Sequence, residues 1–331
     1  MNCKDAYNRS VSYLRVSVTD RCNLRCVYCM PAQGVPWRSH ADILRYEEIE
    51  TVVRAAAELG ITKVRLTGGE PLVRDGIVDL VRVVAAVPGV DDLAITTNGT
   101  LLAPLAAALA EAGLRRVNIS VDSLMPERFE KMSRGGRLAD VLVGIAAART
   151  AGLEPIKTNT VVIRGVNDDE AVEFARKTMD PGWNVRFIEL MPLWSRRPLV
   201  DDWRSRVVTA AEIRDRIEAE LGRLEPASVP AGGGPARYYR LAGAAGTLGF
   251  ITPVSDHFCR QCNRLRLTAD GRLRPCLLSE NEIDLRQPLR DGAGVDRIKE
   301  LIREAVGAKP AGHHLVSQPD VRGRTMSEIG G

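Results

Sequence analysis

Patterning begins at residues 14–19, where Leu14, Val16 and Val18 alternate with Arg15, Ser17 and Thr19. A period of two predicts a strand with one buried and one wet face. At 46–59 the period changes: Ile49, Val52, Val53, Ala56 and Leu59 fall on one helical stripe, which Gly60 stops. The alternation then repeats. Strands are expected at 63–67, 92–97, 116–121, 155–163 and 184–190, with helices at 76–86, 101–112, 139–151 and 168–177. Strand–helix–strand units of this kind build a parallel sheet with right-handed crossovers. Six such strands are too few to close an eight-stranded barrel, leaving an open partial barrel or a doubly wound sheet.

The strand faces separate those two. One parity is Val, Leu and Ile, suited to packing beneath helices. The other carries Arg15, Ser17 and Thr19, then Lys63, Arg65 and Thr67, then Asn118, Ser120 and Asp122, then Lys157 and Asn159. A closed barrel packs branched apolar residues into its lumen, and unpaired charge in a dry lumen is costly. A lumen lined by these side chains holds something large, polar and anionic. The expected fold class is α/β: a partial (β/α)6 TIM-like barrel with a wet, cationic interior.

Beyond the sixth strand lies an irregular, Arg-rich stretch, 192–208. Thr209 and Glu212 form a capping box for a helix running to Leu221, stopped by Gly222. The Pro- and Gly-rich segment 227–235 reads as a linker, dividing 1–226 from a separate unit at 227–331 with a polar, Gly-rich tail.

With 331 residues and 45% hydrophobic content, the chain suits one large domain or a large plus a small one. No apolar run approaches a membrane span, and the first residues lack signal-peptide character. A soluble, cytoplasmic protein with no membrane partner is expected. Net charge is +4, with 39 Arg against 7 Lys; the excess reads as base composition except where an Arg sits on a patterned strand. The seven cysteines fall at 22/26/29 and 259/262/276, with Cys3 left over. In a reducing compartment such clusters read as metal ligands rather than disulfides.

Cys22, Cys26 and Cys29 form a C-x3-C-x2-C run in an Arg- and Asn-studded loop, a poor setting for core thiols. Soft thiolates select zinc, copper(I) or an iron–sulfur cluster. Structural zinc wants four ligands, and the nearest histidine is His40. A cubane on three cysteines leaves one iron free to bind a small molecule. Cys259, Cys262 and Cys276 are again three thiols, and here zinc with His257 as fourth ligand stands beside an iron–sulfur cluster. An alternating hairpin separates Cys262 from Cys276. A two-residue Asp270-Gly271 turn sets these cysteines on opposite faces. A three-residue loop, Ala269-Asp270-Gly271, pairs Cys276 with Arg264 and puts Cys262, Arg264, Arg266 and Cys276 on one face. Only the second register lets both cysteines hold one centre, with two guanidinium groups beside it for an anionic or carbonyl-bearing ligand.

The first cysteine run, with Tyr28 before its third Cys, is similar to the radical S-adenosylmethionine (SAM) signature, and Gly68-Gly69-Glu70 to a second element of that superfamily. Further matches are Arg65-Leu-Thr-Gly-Gly-Glu-Pro-Leu72, Thr96-Thr-Asn-Gly99, Asn118-Ile-Ser-Val-Asp-Ser123, Lys157-Thr-Asn159, Arg186-Phe-Ile-Glu-Leu-Met-Pro192, Cys262-Asn-Arg-Leu-Arg-Leu267 and the closing Gly330-Gly331. Nearly the whole chain thus resembles the radical SAM GTP 3′,8-cyclases of molybdenum-cofactor biosynthesis. The resemblance implies two [4Fe-4S] clusters: one on Cys22, Cys26 and Cys29, and an auxiliary one on Cys259, Cys262 and Cys276 in a C-terminal extension. It implies SAM contacts from Tyr28, Gly69, Ser120 and Met191, and GTP contacts from Arg15, Arg65, Thr96, Lys157, Arg264, Leu265 and Arg266. Catalytic roles fall to Arg266, Gly330 and Gly331, and none to Cys3, His313 or His314. The implied reaction converts GTP to (8S)-3′,8-cyclo-7,8-dihydroguanosine 5′-triphosphate. Its implied partners are an electron donor such as flavodoxin or ferredoxin and, downstream, cyclic pyranopterin monophosphate synthase. No nucleic-acid partner is implied, and the chain is expected as a monomer or homodimer. Two rivals stand beside this reading. A peptide-modifying radical SAM maturase ordinarily carries more C-terminal cysteines; a zinc-ribbon nucleic-acid binder leaves the first cysteine set and the polar lumen unexplained.

Overall fold

The computed structural model describes residues 3–179, 183–192, 202–228, 233–313 and 324–330. Six strands, β1 (Tyr13–Ser17), β2 (Lys63–Thr67), β3 (Asp92–Thr97), β4 (Arg116–Ser120), β5 (Lys157–Val162) and β6 (Asn184–Glu189), lie side by side in chain order, every neighbouring pair parallel. Helices Tyr46–Glu58, Ile77–Ala85, Ala106–Glu111, Leu138–Thr150 and Ala171–Arg176 return the chain between them. This is the winding of a partial TIM-like barrel. The apolar parity of the strands, with Leu14, Val16, Leu66, Ile95 and Ile119 almost fully buried, packs into one core with the apolar stripes of the helices, such as Ile49, Val52 and Val53.

Local chemistry explains most boundaries. Thr209 Oγ1 accepts from Glu212 N at 3.3 Å, and the helix it caps, Ala210–Leu221, ends at Gly222 with φ of +90°. The helix expected at 101–112 begins only at Ala106, because 101–105 wind as turns off Gly99. Pro126–Ser133 adds a helix after β4 that the periodicity did not suggest; Pro126 sets its first turn, and Phe129 and Met132 are its buried apolar residues.

Among the described residues, the C-terminal part builds no sheet of its own. β7 (Leu224–Ala227) spans the 226/227 boundary and pairs with β8 (Arg237–Leu241), which pairs with β9 (Thr247–Ile251); β9 runs parallel to β6. At the other edge β10 (Arg264–Leu267) runs parallel to β1, followed by β11 (Arg272–Arg274) and β12 (Ile283–Asp284). One 12-stranded sheet results, with residues after 227 flanking the barrel strands on both sides. Helix Val295–Gly307 packs on helix Tyr46–Glu58, where Lys299 Nζ meets Glu58 Oε2 at 2.8 Å. Residues 193–201 of the Arg-rich stretch and 229–232 of the expected linker lie outside the described residues. Among the described residues, no helix is long and apolar enough to cross a membrane.

Candidate active site

Strand register assembles the site. In the β10–β11 hairpin Arg266 faces Arg274 and Leu267 faces Leu273, so the loop is the three-residue Ala269-Asp270-Gly271 with Gly271 at φ of +79°. Cys262, Arg264, Arg266 and Cys276 therefore share a face. Because β10 lies beside β1, Arg266 sits level with Arg15, and Arg15 level with Arg65 on β2. Further round the barrel Thr96 is level with Asn118, and Ser120 and Arg186 lie on either side of Asn159. The polar parity is a continuous belt.

That belt opens on one cavity whose wall carries both cysteine sets, Cys22, Cys26 and Cys29 together with Cys259, Cys262 and Cys276. Tyr28, Gly69, Ser120 and Met191 line it, as do Arg15, Arg65, Thr96, Arg264 and Arg266. Two of the residues expected to hold a ligand do not line it. Leu265 is fully buried in the core, because alternation along β10 turns it away from its two arginine neighbours. Lys157 lies beneath the surface, its ammonium 5.6 Å from the Tyr238 ring centre. Gly330 reaches the site through its carbonyl, which accepts from Arg266 Nη1 at 3.1 Å. Gly331 and His314 lie outside the described residues.

The cavity is crowded with cations. Burial, and then repulsion from Arg266, holds Arg15 well below the ordinary arginine range. Burial and then Arg264 act alike on Arg266. Lys157 falls to about 7, through burial and then Arg186, Arg116 and Arg65. Around this charge stand buried polar atoms with no hydrogen-bond partner among the described residues: Tyr13 Oη, Arg65 Nε, Thr96 Oγ1, Asn159 Oδ1 and Arg186 Nε. Buried groups of this kind are ordinarily satisfied, so the wall fits a polyanion that also presents hydrogen-bonding groups.

The first cysteine loop is held by backbone contacts. Gly69 N donates to Thr19 O and Glu70 N to Arg21 O, each at 2.8 Å. A Cβ on Gly69 would lie 2.4 Å from Arg21 O, so only glycine permits this approach. Glu70, pushed up to about 7 by burial, accepts from Asn98 N, Leu72 N and Thr97 Oγ1, which ties the loop after β2 to the end of β3. Tyr28 Oη donates to Asp122 Oδ2 at 2.7 Å, and Val161 N donates to Asp122 Oδ1 at 2.9 Å, fixing the ring at the cavity wall. Burial raises Cys22 to about 11, and raises Cys26 and Cys29 as well, with mutual repulsion adding to it. Thiols raised in this way are deprotonated when a metal binds them. In the second set burial would raise Cys262, but Arg264 and Lys309, whose Nζ is 3.4 Å from the sulfur, bring it down to about 6. Among the described residues no three His, Cys, Asp or Glu side chains converge as ligands of a single ion. What each cysteine set shares is a stretch of the cavity wall.

Sequence reasoning gave no role to Tyr13, Asn159, Arg186 or His313, all of which line the cavity. The first three lie on the polar parity of β1, β5 and β6, so the same alternation that found Arg15 signals them. His313 lies beyond helix Val295–Gly307, where no local pattern marks it.

A partial barrel whose first strand leads into a three-cysteine loop, buttressed by Gly68-Gly69-Glu70, is the framework of a radical SAM enzyme, a class that works with SAM and an iron–sulfur cluster. Residues 16–178 match the Radical SAM superfamily and 183–315 match Molybdenum Cofactor Synthesis C. The fold is shared with Streptococcus suis SuiB bound to S-adenosylmethionine, at a TM-score of 0.63 and 14% identity over 90% of this chain and 69% of that one. The chain is 58% identical to the GTP 3′,8-cyclase of Pelotomaculum thermopropionicum, covering 99% of this chain and 100% of that one. It is 50% identical to the GTP 3′,8-cyclase of Moorella thermoacetica over 99% and 100% of the two chains. The chain belongs to the GTP 3′,8-cyclase family. Both rival readings, the peptide maturase and the zinc-ribbon nucleic-acid binder, fall with that membership.

Proposed function

We propose that the cavity binds GTP beside SAM and joins ribose C3′ to guanine C8, giving (8S)-3′,8-cyclo-7,8-dihydroguanosine 5′-triphosphate for molybdenum-cofactor biosynthesis. The observation that carries this reading is the cationic belt of Arg266, Arg15, Arg65 and Arg186, with its unsatisfied polar atoms, between two three-cysteine sets. The donor chemistry supports a [4Fe-4S] cluster on Cys22, Cys26 and Cys29, with SAM against Tyr28, Gly69, Ser120 and Met191. It supports a second cluster on Cys259, Cys262 and Cys276. When bound, the first cluster and SAM supply a 5′-deoxyadenosyl radical able to take a ribose hydrogen. The chain's own part is placement. Arg15, Arg65 and Arg186 neutralise the triphosphate, with Thr96 and Asn159 supplying hydrogen bonds and Lys157 adding charge from below. Arg264 and Arg266 hold the nucleotide next to the second cysteine set, and the tail adds contacts to the catalytic geometry, of which the Gly330 carbonyl on Arg266 is one; the enclosed site keeps out water and stray hydrogen donors.

On this reading residues 1–226 carry the SAM half, and 227–331 the auxiliary cluster and the tail. A flavodoxin or ferredoxin supplies two electrons per turnover, one for the cleavage of SAM and one that, with a proton, quenches the cyclised nucleotide radical; cyclic pyranopterin monophosphate synthase takes the product, in the cytoplasm, and the enzyme works as a monomer or homodimer. Family membership supports these partners. The test is anaerobic reconstitution followed by incubation with GTP and SAM. Expected are about eight irons and eight sulfides per chain, four for each cubane, with 5′-deoxyadenosine and cyclised nucleotide in equal amounts. Half that iron would remove the second cluster, and deoxyadenosine without cyclised nucleotide would remove the substrate assignment.

A further inference from the structure

The tail arrives at the lumen through a knot of ion pairs that the proposed reaction does not use. Arg324 donates to both oxygens of Asp270, each at 2.9 Å, and to both oxygens of Glu282, at 2.6 and 2.9 Å. These side chains are mostly buried, at 13%, 6% and 20% exposure. Arg38 bridges Asp270 at 3.3 Å and Glu328 at 3.7 Å, while its own N–H donates to Asp20 Oδ2 at 2.9 Å. The knot thus ties together three segments: the loop ahead of Cys22, the turn of the hairpin bearing Arg264 and Arg266, and the start of the tail.

The segment beyond Arg324 is short. Helix Met326–Ile329 is a single turn, held by a Thr325–Glu328 capping box. An isolated turn of helix is unstable in water because nucleation fixes several dihedrals for one hydrogen bond. Its own contacts are few, with Ser327 and Ile329 buried and Glu328 3.7 Å from Arg38, and its ends add the rest. At the far end Gly330 sits at φ of +84°, with space so tight that a Cβ would meet Ser17 Cβ and Thr67 Cγ2 at 2.9 Å. At the near end the fixed point is the doubly forked guanidinium of Arg324. Two bidentate pairs hold a planar group in orientation as well as in place.

We infer that Arg324, gripped by Asp270 and Glu282, is a positioning residue that sets the tail so that the Gly330 carbonyl meets Arg266. The inference rests on the proposed role of the tail. Burial opposes ionisation of both carboxylates, yet the Arg324 guanidinium keeps each below its ordinary range, so the grip persists across neutral pH.

The test uses full-length, reconstituted Arg324→Gln, Arg324→Lys and Glu282→Gln enzymes beside a chain lacking residues 330–331. Readouts are cyclised nucleotide per 5′-deoxyadenosine, kcat and KM for GTP, release of C-terminal residues by carboxypeptidase, iron content and thermal midpoint. For Arg324→Gln the product ratio and kcat should fall roughly ten- to hundredfold, as for a small misplacement of a positioned group. KM, iron and midpoint should hold, and carboxypeptidase should act faster. Arg324→Lys and Glu282→Gln, each keeping part of the grip, should fall between. Wild-type coupling and protease resistance in Arg324→Gln would overturn the inference, and so would loss of iron or a collapsed midpoint, which would make the knot merely structural. If the deletion leaves coupling intact, the tail reading itself fails; if the deletion uncouples and Arg324→Gln does not, only the grip fails.

Discussion

Arg266 Nη1 donates to the Gly330 carbonyl at 3.1 Å, joining a residue of the cavity wall to the tail. Gly330 can hold that place only without a side chain, since it is left-handed and a Cβ there would lie 2.9 Å from Ser17 and Thr67. Gly330→Ala should displace the carbonyl while leaving the core untouched. We expect cyclised product per deoxyadenosine to drop about tenfold or more, with unchanged melting and unchanged SAM binding. A wild-type ratio from Gly330→Ala would show that the contact with Arg266 does not serve the reaction.

Lys157 gives the nucleotide site a pH dependence. Burial and then the neighbouring guanidinium groups bring it from the ordinary lysine value of 10.5 to about 7. Across that window the unfolded chain binds the extra proton, so this residue makes the ligand-free protein more stable as pH rises. A bound triphosphate favours the ammonium form and so draws a proton in. Affinity for GTP should weaken by up to about tenfold per pH unit above neutrality, and Lys157→Met should bind weakly with a flat profile. Calorimetric titration in two buffers of different ionisation enthalpy reads the proton directly; identical heats would exclude Lys157.

Leu265 serves the core rather than the ligand. Its side chain is fully buried between two cavity arginines in sequence. Leu265→Ala should cost about 2–5 kcal/mol of stability and leave the GTP dissociation constant of the folded protein within about twofold. Chemical denaturation and equilibrium binding together decide it; weakened binding at full stability would return Leu265 to the site.

Gly69 tests the buttress under the first cysteine loop. Its alanine variant would press a Cβ to 2.4 Å from Arg21 O, forcing one of two backbones to move. Loss of roughly 1–3 kcal/mol should accompany loss of iron from the first set only, leaving the second set's share. Full iron content at wild-type stability would show that the loop yields freely.

The alternation that exposes Arg15, Arg65 and Ser120 in the sequence is a direct record of which strand face meets the core, so these residues were legible without a structure. The hairpin register was legible too, because two cysteines expected to serve one centre must share a face. Leu265 shows where a family segment carried over as a block conflicts with its own alternation: a neighbour of two lumen arginines on a strand has to point the other way. The edge pairings were not legible. Nothing local in residues 264–267 states that β1 is their partner, and nothing around Arg324 marks Asp270 and Glu282, which approach only once the sheet is assembled.

That edge pairing sets a timetable for the nascent chain. β1 gains β2 early, yet its other edge waits for Arg264–Leu267. The intervening stretch of about 250 residues takes roughly 13–50 s at ordinary rates of translation. Until then Arg15 and Ser17 line a half-built trough open to water, and the first cysteine loop is synthesised long before the tail and hairpin that enclose it. If the first cysteine set holds the proposed cluster, its metallation has an interval on the ribosome in which the site is made but still uncovered.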